Sequence, residues 1–330
     1  MTKAKIIGSG SYFPKKILTN KDLEKFVETT DEWIKSRTGI CERRIADTKE
    51  SSSTMGYYSA LEAIKDANLT EKEIDFIIVA TLTPDYIFPS TACLIQSKLK
   101  INNIPALDIQ AACSGYIYAL SIAKNFVESN SYKNVLIVAA EKLSSIVDYT
   151  DRATCVLFGD AAAAAVISKK GKGLEIEKTY LASDGSLSDL LILPAGGSKN
   201  PSSNSTIANN MHYIKMEGKE VFKHAVRRML EAIYKCLEIA NLTEKDISWL
   251  IPHQANQRII EAIAKRFKHL PEDKVYVDVV KAFGNTSASS IGLALDLLKK
   301  KNKFTNGEKI MLTAFGAGFT WGSAILNVDL

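Results

Sequence analysis

The sequence predicts a layered α/β fold built twice over, and three observations carry the prediction. Short apolar segments alternate with amphipathic stretches, the order that gives parallel strands joined by right-handed helical crossovers. Residues 68–78 (Asn-Leu-Thr-Glu-Lys-Glu-Ile-Asp-Phe-Ile-Ile) return as 241–251 (Asn-Leu-Thr-Glu-Lys-Asp-Ile-Ser-Trp-Leu-Ile), 173 residues further on. Each copy follows a helical stretch containing Leu-Glu-Ala-Ile and precedes an apolar run, a small-residue turn and another helix, so duplication explains the match better than chance.

In the first half, Lys5–Gly8 reads as a strand, Ser53–Ala67 as an amphipathic helix and Phe76–Ala80 as a buried strand. A helix over Ser90–Leu99, a strand over Ala106–Ile109, a helix over Tyr116–Glu128 and a strand over Val135–Ala139 complete the alternation. The second half predicts helix 219–239, strand 248–251, helix 256–268, strand 275–279, helix 289–300 and strand 309–313. Ala161–Ser168 and Ser323–Val328 close the halves as candidate antiparallel strands, and Gly196–Asn210 reads as a loop or flap between them. The expected division is 1–172 and 173–330, an N-terminal and a C-terminal half.

Bulk properties narrow the function. The 330 residues are 46% hydrophobic and 24% charged, as expected of an ordinary globular chain. The excess of 42 Lys and Arg over 37 Asp and Glu is mild and dispersed. It favours a phosphorylated or acidic partner and argues against nucleic acid. With no apolar leader, no cleavage site and no run long enough to span a bilayer, a cytoplasmic location away from membranes is expected. The five cysteines, Cys41, Cys93, Cys113, Cys155 and Cys236, are widely spaced with no Cys-x-x-Cys pair, so neither a disulfide framework nor a metal site is expected.

Four turns could carry chemistry. Cys113, in Gln110-Ala111-Ala112-Cys113-Ser114-Gly115, follows a strand and opens a helix. Unpaired N–H groups there favour a thiolate, though a buried, inert thiol fits the same pattern. His253, in Ile251-Pro252-His253-Gln254-Ala255-Asn256, stands at the carboxyl end of a strand in the second copy, where ligand groups often lie. Asn285, in Gly284-Asn285-Thr286-Ser287-Ala288, is either a helix cap or an amide donor. Glycines in Ala314-Phe315-Gly316-Ala317-Gly318 allow close backbone approach, and their amides could line an oxyanion hole.

Taken in order, Ala-Ala-Cys-Ser-Gly, His-Gln-Ala-Asn, Gly-Asn-Thr-Ser-Ala and Phe-Gly-Ala-Gly-Phe-Thr-Trp-Gly resemble the β-ketoacyl-acyl carrier protein synthase III family, the initiating condensing enzymes of type II fatty acid synthesis. Thr30-Asp31-Glu32-Trp33-Ile34, Arg37-Thr38-Gly39-Ile40 and Phe158-Gly159-Asp160 extend the resemblance nearly end to end. It implies a thiolase-like, five-layered αβαβα fold, an internal duplication of two mixed sheets with helices, and a homodimer. It implies an acyltransferase: decarboxylative condensation of an acyl-coenzyme A primer, acetyl-CoA the expected one, with malonyl-acyl carrier protein, giving 3-oxoacyl-acyl carrier protein, CoA and carbon dioxide. Cys113 would be acylated beside His253 and Asn285, and the backbone amides of Cys113 and Ala317 would form the oxyanion hole. The family usually has Gly where Ala317 stands. Trp33, Arg37 and Arg152 match the CoA site, and Phe88 the acyl pocket, where its ring would come from the partner subunit. Lys223, Arg258, Lys265 and Arg266 are candidates for docking the acidic carrier protein; at relative spacings 0, 7 and 8, the last three would share one helix face. No cofactor or metal is implied, the CoA thioester being a substrate. A relative serving polyketide or secondary metabolism, and a non-catalytic thiolase-like binding protein, are the alternatives.

Overall fold

The computed structural model describes residues 3–330. Nine strands form the main sheet: β1 (Lys5–Tyr12), β2 (Phe76–Ala80), β3 (Ala106–Ile109), β4 (Asn134–Glu141), β5 (Ala161–Ser168), β6 (Gly173–Ser183), β7 (Trp249–Pro252), β8 (Lys309–Gly316) and β9 (Thr320–Asp329). The helices that matter for function are α1 (Asp31–Thr38), α2 (Ser52–Asp66), α3 (Thr91–Lys98), α4 (Gly115–Glu128), α5 (Gly218–Ala240), α6 (Gln257–Ala264) and α7 (Ser289–Lys300).

The strand order is β7-β8-β9-β6-β1-β5-β4-β2-β3. Within it lie two copies of one half-sheet. In the first, β3, β2 and β4 run parallel, and β5 and β1 follow antiparallel. In the second, β7 and β8 run parallel, and β9 and β6 follow antiparallel. The halves join where β1 pairs with β6 through Lys5↔Glu175 and Ile6↔Leu174.

Alternation along the strands builds the layers. Ile78 and Ala80 of β2 and Ile137 and Ala139 of β4 face one core shared with Ile251, Leu312 and Leu326 of the second half, and α4 and α7 fill the space between the half-sheets. Ile77 and Val79 face the opposite way, under Met55, Ala60 and Ile64 of α2. Leu250 and Met311 likewise face Met229, Ile233 and Cys236 of α5. The result is helix, sheet, helix, sheet, helix, and strands buried on both faces need the uninterrupted apolar runs that mark them in the sequence.

The repeated segment has a physical basis. Asn68 (φ 53°) and Asn241 (φ 54°) both end a helix in the left-handed conformation. Leu69 and Leu242 then donate back to Ile64 and Leu237 at 3.1 and 3.0 Å, and Thr70 with Glu73, and Thr243 with Asp246, form capping boxes on the next turn. Both copies encode one helix-to-strand connection.

Two expectations need correction. Residues 275–279 do not form a strand: only Val275 bridges Leu250, and Asp278–Phe283 is helical. The Gln254 side chain takes the next ladder position, donating to the Tyr276 carbonyl at 2.9 Å and accepting from Val280 N at 3.4 Å, so the chain leaves the edge after one pairing. The helix expected over 256–268 stops at Ala264; Arg266 and Phe267 bond three residues back as Phe267 turns into the core. Between the halves, residues 196–210 form the expected loop apart from a short helix, Asn204–Ala208, and Leu191–Ile192 pairs with Lys215–Met216 beside the site. No helix is long and apolar enough to cross a membrane among the described residues.

Candidate active site

Cys113, His253 and Asn285 come to one cavity of about 700 Å³, although they sit far apart in the chain. Cys113 and His253 each stand where a strand gives way to a helix, at the carboxyl ends of parallel strands, and Asn285 stands in the turn between the Asp278–Phe283 helix and α7. Cys113 lies in a tight turn after β3, preceded by Ala112 at φ 43° and followed by α4. Such a backbone costs an alanine about 1 kcal/mol or more, so its surroundings must enforce it. Gly316, ending β8, is part of that enforcement. A Cβ there would lie 2.6 Å from Cys113 N and 3.1 Å from both Ala112 Cβ and Ser114 N. Thr320 clamps the same turn, donating to the Ala111 carbonyl at 2.8 Å and meeting Ser114 Oγ at 2.6 Å. Ala317 lies in the cavity wall beside Gly316, and its φ is not left-handed, so alanine fits there without backbone strain.

His253 is buried, and that burial pushes its imidazole down to about 3, so the ring is neutral across the physiological range. Its Nδ1 lies 2.7 Å from Ser290 Oγ. The same oxygen accepts from Gln254 N at 3.2 Å, and among the described residues Nδ1 is the acceptor its own proton reaches, so Ser290 donates to Nδ1. His253 then carries its own proton on Nε2 as a neutral donor. Asn285 is oriented just as firmly: its Oδ1 accepts from Ser287 N at 2.9 Å, so the amide nitrogen is free to donate. Asn285 is not the cap of α7, whose first residue follows Ala288.

Cys113 departs from the simple helix-start expectation. Burial pushes its thiol up to about 12; the Ser287 hydrogen bond works against this and the Glu141 charge adds to it. The resting group is a thiol. Glu141, fully buried at the end of β4, is itself pushed up to about 7 by burial.

The remaining candidates divide. Trp33 and Arg152 meet, the guanidinium 5.0 Å from the ring centroid. A planar base between them needs about 7 Å, two contact distances of ~3.5 Å, so Arg152, held to the Glu28 carbonyl at 3.0 Å, must swing aside. Arg37 lies one helical turn beyond Trp33, and its carbonyl accepts from Asn256, a residue of the cavity wall. Arg258 stacks at 5.8 Å on Phe222, another wall residue, and Lys223 is next to Phe222 in sequence. Lys265, seven residues after Arg258, still has helical backbone as the C-cap of α6, whereas Arg266 lies past the helix in a turn bonded three residues back. Lys265 lines a separate cleft of about 760 Å³, and Arg266 lies near Tyr234 of α5. Phe88 is 84% exposed and is not part of its own chain's cavity wall, whereas its neighbour Ile87 is. No group of three metal-capable side chains occurs among the described residues.

Sequence reasoning missed Ser290, Gln254, Ser287 and Glu141. Gln254 and Ser287 lie within the quoted motifs, where only small size or polarity marked them; Ser290, just past the Gly284–Ala288 motif, and Glu141 carried no signal.

Comparison with known proteins gives one answer. Residues 107–185 match the family model for 3-oxoacyl-[acyl-carrier-protein (ACP)] synthase III, and residues 237–328 match that for its C-terminal part. The β-ketoacyl-[acyl-carrier-protein] synthase III of Chlamydia trachomatis serovar D is 55% identical over 326 residues, covering 98% of this chain and 99% of the relative. The solved structure of 3-oxoacyl-[acyl-carrier-protein] synthase III from Aquifex aeolicus VF5 superposes with TM-score 0.89 at 48% identity, covering 98% and 99% of the two chains. The priming β-ketosynthase of the R1128 polyketide biosynthetic pathway gives TM-score 0.90 at 34% identity, covering 99% and 97%. With relatives this similar over nearly the whole chain, and with the duplicated, five-layered fold described above, this protein belongs to the 3-oxoacyl-[acyl-carrier-protein] synthase III family.

Proposed function

We propose that this chain condenses an acyl-CoA primer, acetyl-CoA first among them, with malonyl-acyl carrier protein, and so initiates fatty acid synthesis. The observation that carries the reading is the convergence of one thiol and two oriented neutral donors on a single cavity. Cys113 attacks the primer thioester, the Cys113 and Ala317 amides hold the oxyanion, and CoA leaves. His253 and Asn285 then donate to the malonyl thioester carbonyl. Carbon dioxide departs, and the enolate attacks acyl-Cys113. Neutral donors suit this step, since they stabilise charge that appears only in the transition state. Loss of carbon dioxide supplies the carbanion, so the reaction as written calls for no metal or redox cofactor.

In this reading Trp33, Arg37 and Arg152 receive the CoA nucleotide, and Arg258 with Lys223 meets the acidic carrier protein at the mouth. A homodimer accounts for the exposed Tyr86-Ile87-Phe88 run, 61%, 86% and 84% accessible in the single chain, and would bring Phe88 to the partner's acyl pocket. The halves 1–172 and 173–330 act as one unit around the shared central helices, in the cytoplasm. The likeness to a priming ketosynthase keeps a second reading open, with the same chemistry serving polyketide synthesis.

The test is a panel of acyl-CoA primers with malonyl-acyl carrier protein, together with labelled acyl-CoA and mapping of the adduct. Label on Cys113 and turnover that requires the carrier protein are expected. Label elsewhere, or equal turnover with malonyl-CoA, refutes the fatty acid reading.

A further inference from the structure

The resting Cys113 is a thiol in a buried turn, so its proton must go somewhere when sulfur attacks. His253 is poorly placed to take it, because its Nδ1 is engaged by Ser290 and its Nε2 already carries a proton. The same cavity holds a pair of side chains that condensation leaves unused. Ser287 lines the cavity together with Cys113, and its hydroxyl works against the burial that pushes the thiol up. Its hydroxyl donates to Glu141 Oε1 at 3.2 Å. With its own proton directed at Glu141, the hydroxyl keeps lone pairs able to receive the thiol's proton. The bond is longer than the usual 2.7–2.8 Å or so for a hydroxyl donor, as catalytic hydrogen bonds often are before substrate arrives.

The two oxygens of Glu141 are not equivalent. Oε2 takes three donors: Thr83 Oγ1 at 2.8 Å, Leu82 N at 3.1 Å and Thr81 Oγ1 at 3.4 Å. Oε1 has Ser287 and a long 3.4 Å contact from Leu82 N. A proton arriving at Glu141 therefore lands on Oε1, the oxygen that faces Cys113 through Ser287. Ser287 is held there at some backbone cost. It sits at φ 50°, a left-handed conformation unfavourable for serine, and its N–H is tied to Asn285.

We propose that Ser287 and Glu141 form the path by which the Cys113 proton leaves and returns during acylation, with Glu141 a proton-accepting positioning residue. This rests on the reading of Cys113 as the acylated nucleophile. As Sγ attacks the primer carbonyl, the S–H bond breaks and its proton passes to Ser287 Oγ, whose own proton moves to Glu141 Oε1. The tetrahedral intermediate expels CoA as the carbon–sulfur bond breaks. The proton returns from Glu141 through Ser287, which lines the cavity, and CoA departs as the free thiol. Protons balance and no electron transfer is required. A carboxyl poised near neutrality suits both directions of this transfer.

The experiment compares wild type, Glu141→Gln and Ser287→Gly; glycine suits the left-handed backbone and keeps the N–H bonded to Asn285. Single-turnover acylation by labelled acetyl-CoA is measured first. Malonyl-acyl carrier protein decarboxylation is then measured for each change in a Cys113→Ala background, where acylation is absent. Each variant should slow acylation by about 10²-fold, the lower range for a lost general base. Decarboxylation should be unchanged, and the double variant should be no slower than either single one. If Glu141 acted only as a nearby negative charge, its removal would ease thiolate formation and speed acylation. If it acted only in packing, both half-reactions would fall together. Either result overturns the proposal, as does wild-type acylation in Ser287→Gly, which decides the matter even if Glu141→Gln fails to fold. A wild-type protein that is never acylated overturns the underlying assignment of Cys113 instead.

Discussion

Replacing Gly316 with alanine should cripple acylation without unfolding the protein. The added Cβ would sit 2.6 Å from Cys113 N, about 0.8 Å inside the 3.4 Å at which ordinary contact begins. The obstacle is backbone and cannot swing away as a flexible side chain would. Gly316 is held in register by Thr320 on β9, so the turn at Ala112 and Cys113 must retreat. That turn is already in a left-handed conformation and is clamped by Thr320, so most of the movement becomes a displacement of Cys113 N relative to the Ala317 amide. A misplacement of about 1 Å in a reacting group costs on the order of 10² in rate, and losing one oxyanion donor costs about 10²–10³. Acylation should thus fall about 10²-fold or more. Overpacking of this kind costs about 1–3 kcal/mol, within a native stability of about 5–15 kcal/mol, so the protein stays folded. Single-turnover labelling beside a thermal melt measures both quantities. Gly185→Ala is the control, since its Cβ would meet nothing within 4 Å. A folded Gly316→Ala protein that acylates at the wild-type rate refutes the reasoning.

Other outcomes follow from the same geometry. The imidazole of His253, pushed from 6.5 to about 3 by burial, should leave no titration in the decarboxylation rate between roughly pH 5 and 8; a step near 6.5 removed by His253→Gln would contradict its neutral role. The unfolded chain protonates this histidine below about 6.5 while the folded chain does not until about 3. Its contribution is therefore present above 6.5 and lost as pH falls toward 3, and His253→Gln should flatten that slope in acid unfolding curves. Arg258→Glu should weaken turnover with malonyl-acyl carrier protein and its salt dependence, leaving acylation by acyl-CoA unchanged, while Arg266→Glu should do much less; equal effects would refute docking at the Arg258 end of α6. Phe88→Ala should widen the range of primer lengths in a protein whose dimer is intact by sedimentation, and an unchanged range would remove Phe88 from the acyl pocket.

Legibility in the sequence followed the range of the forces involved. Phe76–Ala80 and Ser289–Lys300 were readable to the residue because burial on both faces, or on one stripe, writes itself into consecutive positions. The repeat was readable because Asn68-Leu69-Thr70 and Asn241-Leu242-Thr243 encode a local helix end whose chemistry lies within a few residues. Val275–Val279 misled because its β-branched run satisfies strand propensity, while Gln254, more than twenty residues earlier, claims the backbone groups that a strand would need. Arg266 misled for a related reason, since the turn that carries the buried ring of Phe267 into the core ends the helix before it. Cys113 and His253 stood out because each sits at a strand-to-helix turn, and Asn285 because its glycine-containing turn opens a small-residue helix. Glu141 did not, because only the folded chain brings it to Ser287.

The duplication explains why a site made from two similar halves carries a single nucleophile. Across the second part of each repeat the offset is 175 residues, carrying Asn134 to Lys309, Glu141 to Gly316 and Ala112 to Ser287. Ala112 and Ser287, both left-handed, are then one position in two copies, and so are the ends of β4 and β8. Each half lays the end of its strand against the turn of the other: Gly316 against Ala112 and Cys113, and Glu141 against Ser287. At one contact the strand ends in glycine, which lets backbone approach backbone and leaves amides free beside a thiol. At the other it ends in a carboxylate, which needs donors and finds Ser287. The position after the left-handed residue is Cys113 in one copy and Ala288 in the other. A carboxylate in place of Gly316 would collide with the nucleophile turn, and a cysteine in place of Ala288 would have no cleared amide pocket. The asymmetry of the site thus reduces to one strand-end residue and one turn residue in each half, chosen together, so that the first half supplies the thiol and Glu141, and the second supplies Ser287, His253 and Asn285.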